Sequence, residues 1–144
     1  MIEQDTIKLL RECDAGVAMG IASIDDVLGR VDSDALETTL KTCRDEHVRL
    51  QHEIRSQLDR FHDDGKAPNP IAKTMSHMKT MVKMGIEESD GTVADVMTDG
   101  CGMGVKSLNR YLNEYRAADE VSKDIAKRLI NLEEQLETEL REFL

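Results

Sequence analysis

The sequence predicts an all-α protein, a four-helix bundle in up-down-down-up order with a short extra helix in the crossover between helices two and three. Three observations carry that expectation. Long stretches space their apolar residues three and four apart, as a helix with one packed face requires. Breakers are scarce in the interior, with only two prolines, Pro68 and Pro70, and no tryptophan. The links between stretches are unequal, two short and one long.

Helix one is expected over residues 5–30, with Asp5 as N-cap. Ile7, Leu10, Val17, Ile21, Ile24, Leu28 and Val31 form its seam. One rung of that seam is polar: Asp14. The turn Val31-Asp32-Ser33-Asp34 supplies a new N-cap, and helix two is expected over 34–62. Its stripe is Leu36, Leu40, Cys43, His47, Leu50, Ile54, Leu58 and Phe61. So short a link makes helices one and two an antiparallel hairpin. Counted from the turn, Asp14 lies about 18 residues back, and Arg44 and His47 lie about 11 to 14 forward. At 1.5 Å per residue the mismatch is roughly 5–10 Å, within an arginine's reach but loose for an Asp14–His47 contact.

Asp63-Asp64-Gly65-Lys66-Ala67-Pro68-Asn69-Pro70 breaks the chain. Asn69 and Pro70 then suit the cap and first turn of a short helix over 70–84, with Ile71, Met75, Met78 and Val82 on one face. Helix three is expected over 92–116, with Val93, Val96, Gly100, Gly104, Leu108, Tyr111 and Tyr115 inward. Helix four is expected over 121–144, on the stripe Ile125, Leu129, Leu132, Leu136, Leu140 and Phe143. All 144 residues form one domain on this reading.

The long link sets the expected topology. An antiparallel neighbour needs ~2–8 linking residues, whereas about 26 separate helices two and three. A helix of ~15 residues covers ~22 Å, and with its flanking loops it can travel the length of a ~40 Å bundle. Helix three then starts at the end where helix two started.

A net charge of −10 argues against nucleic acid and against anionic membranes, both of which select Lys and Arg. No apolar run approaches the ~20 residues of a membrane span. The start Met-Ile-Glu-Gln-Asp carries no secretory pattern, so a cytoplasmic location is expected. Cys13, Cys43 and Cys101 are odd in number and lack C-x-x-C spacing, which favours reduced thiols over a disulfide framework.

No nucleophile, base and orienter emerge together, so no catalytic residue is assigned. Gly100 to Gly104 lacks the Lys-Ser/Thr of a phosphate loop. The methionines, including Met75, Met78, Met81 and Met84, read as packing rather than as copper ligands. His52, His62 and His77 fall on polar or terminal positions. Gly16-x-x-x-Gly20 and Gly100-x-x-x-Gly104 lower helix propensity by about 1 kcal/mol per glycine, and close helix–helix approach would justify them. Otherwise Met19, Met97 and Met103 would fill the space.

Three segments carry a resemblance: Asp14-Ala15-Gly16, Cys43-Arg44-Asp45-Glu46-His47-Val48-Arg49-Leu50, and Asn109-Arg110-Tyr111-Leu112. In this order and spacing the chain resembles the ferritin-like superfamily over nearly its whole length. It looks like a bacterial, rubrerythrin-related branch of unassigned role, in which the crossover carries its own short helix. Metal-binding members hold two irons between two glutamates and two Glu-x-x-His motifs. The resemblance puts Asp14 at the first carboxylate and retains His47, but Arg44 replaces the glutamate three residues earlier. The helix-three carboxylate falls among Gly100, Gly102 and Gly104, and neither Glu133-x-x-Leu136 nor Glu134-x-x-Glu137 supplies a histidine. The metal site is expected to be degenerate, because a guanidinium cannot ligate a cation.

The expectation is therefore a structural polar core of Asp14, Arg44 and His47, with Arg44 neutralising Asp14 and no cofactor. The alternative is an iron or zinc ion held by Asp14, Cys43 and His47, since Cys and His at i and i+4 can share a metal. The corresponding functions are a non-enzymatic structural or interaction protein, with a homodimer among the expected assemblies and no other partner specified, or a degenerate metal-binding or redox protein. A histidine phosphotransfer role is disfavoured, because neither His47 nor His52 is followed by Leu-Lys-Gly.

Overall fold

Ser33, Ser89 and Asp119 each hold an extended backbone and then cap a helix. Their side-chain oxygens accept the backbone N–H of Leu36, Thr92 and Ser122. Such a cap satisfies one of the N–H groups that a helix start leaves without a partner. In the computed structural model, which describes residues 2–63 and 89–144, the chain forms four helices packed as a bundle. They are α1 (Ile2–Leu28), α2 (Asp34–Arg60), α3 (Asp90–Glu114) and α4 (Glu120–Leu140), and a 3-10 turn follows at Arg141–Phe143.

Helix α1 starts three residues before the expected Asp5. Glu3 and Asp5 lie in its first turn, where negative charge is favourable. Asp5 is not the N-cap: its carboxylate accepts the N–H of Ala117 at 3.0 Å, tying the start of α1 to the α3–α4 link. Thr6 makes a second tie, its hydroxyl accepting the N–H of Asp119 at 2.8 Å. At the α1–α2 turn, Asp32 and Ser33 donate their backbone N–H groups to the Asp90 carboxylate at 2.9 and 3.1 Å. The first residue of α3 is thereby fastened to that turn.

Helix α2 ends on His62, which takes the left-handed conformation at φ 56°. The N–H of His62 bonds to Asp59 and that of Asp63 to Leu58, so the last turn closes as a Schellman-type cap. The short helix expected over 70–84, with His77 and the crossover methionines, lies outside the described residues.

Two apolar clusters fill the interior. One joins Leu9, Leu10, Cys13 and Val17 to Leu50, Ile54, Leu58, Leu108, Ile125 and Leu129. The other joins Ile24, Val27, Leu36, Leu40 and Cys43 to Val93, Met97, Cys101, Leu136 and Leu140. On α2 the clusters meet between Cys43 and Leu50, where His47 stands; on α4 they meet between Ile130 and Leu136, where Glu133 stands. The bundle thus carries a polar layer at mid-height, with apolar packing above and below.

No described helix is long and apolar enough to cross a membrane.

Candidate functional site: a buried histidine–glutamate pair

His47 occupies a rung of the α2 stripe that helical spacing turns inward, and only 1% of it is exposed. Its Nδ1 lies 2.8 Å from the Cys43 carbonyl oxygen and 3.5 Å from the Cys43 Sγ. Its Nε2 lies 2.8 Å from the Glu133 Oε1 on α4. A backbone carbonyl only accepts, so Nδ1 must carry a proton, and a carboxylate opposite Nε2 calls for a second. The ring is an imidazolium held between two acceptors. Burial opposes that charge, but hydrogen bonds and charge from Cys43 and Glu133 prevail and push the His47 pKa up to about 10.

One glycine makes room for the pair, and a second lies beside it. A Cβ on Gly20 of α1 would fall 2.8 Å from the His47 Cδ2 and Nε2, closer than atoms can approach. A Cβ on Gly104 of α3 would meet the Glu133 carboxyl group at 3.6 Å. At Gly20 the expected close approach is that of a side chain from α2, whereas Gly104 stands at ordinary contact distance from Glu133. A Cβ on Gly16 would meet Leu129 at 3.7 Å, and one on Gly100 would meet nothing within 4 Å. Of the proposed fillers, Met97 is buried and Met103 is exposed.

Cys101 of α3 completes the layer. Burial raises its thiol pKa, and contact with Glu133 raises it further, with Cys43 and Glu137 contributing.

The structure separates the residues expected to act together. Arg44 does not enter the core. It lies at the surface, its Nε 2.6 Å from the Asp25 Oδ1. The partner of the buried Asp14 is Arg55, whose Nε stands 3.4 Å from the Asp14 Oδ1 and whose side chain is 60% exposed. Hairpin register explains the correction. Asp14 and Asp25 are eleven residues apart on α1, as are Arg44 and Arg55 on α2, so both pairs obey one antiparallel register. The axial mismatch noted between Asp14 and Arg44 is the reason they do not meet.

Asp14 also lies apart from His47, because its partner Arg55 is eight residues along α2, about 12 Å. The set Asp14, Cys43 and His47 is therefore not assembled, although Cys43 and His47 do touch. Among the described residues, no group of three or more His, Cys, Asp or Glu side chains is arranged to hold a metal ion. Two irons bridged by carboxylates do not fit these residues. His52 and His62 are exposed, as expected of solvated positions.

Glu133, read in the sequence only as the start of an incomplete Glu-x-x-His motif, is the partner that reading missed. Its position held a signal: it lies four residues after Leu129 and three before Leu136, squarely on the apolar stripe.

Compared with known proteins, the chain matches no family model, no curated protein and no solved structure.

Proposed function

We propose that this chain is a ferritin-like bundle in up-down-down-up order that works as a non-enzymatic structural or interaction protein, with an internal ion pair where metal-binding ferritin-like proteins hold metal. The topology is supported by two ties, Asp90 to the α1–α2 turn and Asp5 with Thr6 to the α3–α4 link. Both are expected if α3 runs parallel to α2. One observation carries the function: each ring nitrogen of His47 faces an acceptor at 2.8 Å, leaving no lone pair directed at an ion. A buried polar layer of this kind fixes which rungs of four helices lie level, since any axial slip strands a charge in apolar surroundings. The partner on this reading is another protein chain or a second copy.

A metal-binding or redox role is the second reading. It is favoured by the anchoring of Nδ1 on the Cys43 carbonyl, the way metal-bound histidines are oriented. Elemental analysis of protein purified without a tag separates the two. The expected result is iron and zinc far below one ion per chain. Stoichiometric metal that disappears in His47→Ala would replace the first reading with the second.

A further inference from the structure

From the contact of the Cys43 sulfur with the protonated edge of the His47 ring, itself backed by Glu133, we infer that Cys43 is a site of oxidative modification, converted by hydrogen peroxide to a sulfenic acid. The inference rests on the ion-pair reading, because it needs His47 to be an imidazolium.

The chain contains its own controls. Cys13 is fully buried, and burial with Glu12 and Asp14 beside it pushes its pKa up to about 12. Cys101 is 2% exposed and sits against the Glu133 carboxyl group, which also opposes a thiolate. Cys43 is buried as well, but its neighbour is different. Its Sγ lies 3.5 Å from Nδ1 of a cationic ring, and at 7% it is the most exposed of the three. The His47 ring cannot turn away, because Glu133 holds its far nitrogen and the Gly20 backbone lies against its edge. This is the nucleophile, imidazole and carboxylate order found in activated thiols, within one helical turn and one neighbouring helix.

The step balances without a further reactant. The Cys43 thiolate attacks one peroxide oxygen, the S–O bond forms as the O–O bond breaks, and sulfur gives up two electrons. The departing hydroxide takes up the proton released by the thiol and leaves as water.

The test compares the three cysteines within the folded wild-type protein. Hydrogen peroxide is added with dimedone to trap sulfenic acid, and labelling at each cysteine is followed by peptide mass spectrometry. Cys43 is expected to label at least about tenfold faster than Cys13 or Cys101. Equal rates, or Cys13 or Cys101 labelling first, would overturn the inference. In Glu133→Gln, with folding confirmed by circular dichroism, the Cys43 rate should fall toward that of Cys101; an unchanged rate also overturns it. If that variant does not fold, the wild-type comparison decides alone. Nitrogen NMR of the His47 ring in the wild type reports separately on the ion pair. An imidazolium beside an inert Cys43 sinks the inference and leaves the pair standing.

Discussion

Asp14 and His47 each interrupt an apolar stripe at a rung that must turn inward, and the bundle resolves them in opposite ways. Asp14 lies where an arginine on the neighbouring helix can reach over from solvent, and Arg55 does so while staying 60% exposed. His47 lies at mid-bundle, where its partner comes from within: Glu133 on α4, with only 13% of its side chain exposed. The lesson concerns what happens when a partner is removed. An exposed arginine that loses its carboxylate returns to water, whereas a buried imidazolium that loses its carboxylate must give up its proton or stay charged without a partner.

The largest break in this comparison is Glu133→Ala, which leaves the His47 Nε2 without an acceptor inside the core. The loss in urea unfolding free energy should be about 3 kcal/mol, typical of breaking a buried pair. A loss under about 1 kcal/mol would mean that the pair contributes little to the fold.

Titration sharpens the same point without mutation. The His47 pKa is raised in the folded protein, so its stabilisation is complete below the unfolded value of 6.5 and is lost as pH rises through about 10. Within that window the slope approaches about 1.4 kcal/mol per pH unit. The buried Cys13 thiol, also raised, acts in the same direction above its ordinary value of 9.0, because the unfolded chain ionises first. Urea midpoints should therefore fall steadily from pH 7 to pH 10. Glu133→Gln should flatten the curve; an equally steep one would assign the dependence to other groups.

Glycine substitutions separate the two regions next. Gly20→Ala drives a methyl group into a ring pinned at both ends, at a cost of about 1–3 kcal/mol against at most about 1 kcal/mol of gained helix propensity. Gly100→Ala meets nothing within 4 Å and should stabilise by a few tenths to about 1 kcal/mol. Thermal melts of both variants should move in opposite directions. A shared direction would mean that the close approach at Gly20 is readily relieved.

How much of this was legible in the sequence follows from what spacing encodes. Periodicity placed the four long helices and marked Asp14 and His47 as rungs, because both depend only on neighbours along the chain. The pairing of Asp14 with Arg44 failed because it depends on register, and shifting a hairpin partner by eleven residues leaves each helix's own stripe unchanged. Glu133 stayed hidden for a related reason. In a helix containing Glu133, Glu134, Glu137 and Glu139, only its spacing from Leu129 and Leu136 singles Glu133 out, and its partner is not fixed until the helix facing it is known. The cost of Gly20 was visible in the sequence, but its reason, a histidine from α2, was not.

Two smaller effects complete the comparison on the Asp14 side. Asp14→Leu restores the apolar rung and releases Arg55 to solvent, so the protein should melt at or above the wild-type temperature. A loss above about 1 kcal/mol would give the surface-reaching pair a weight that long, exposed ion pairs seldom have. Arg44→Met is the smallest. The Arg44 guanidinium lies on the Asp25 carboxylate at the surface, and that contact raises the guanidinium pKa without placing either charge in the core. Removing it leaves Asp25 in water and the layer of His47 and Glu133 untouched. The melting temperature should be unchanged within error, and so should the His47 ring signals in nitrogen NMR. A shifted His47 resonance in Arg44→Met would mean that charge at the rim reaches the bundle centre, and the separation of the two polar sites would then no longer hold.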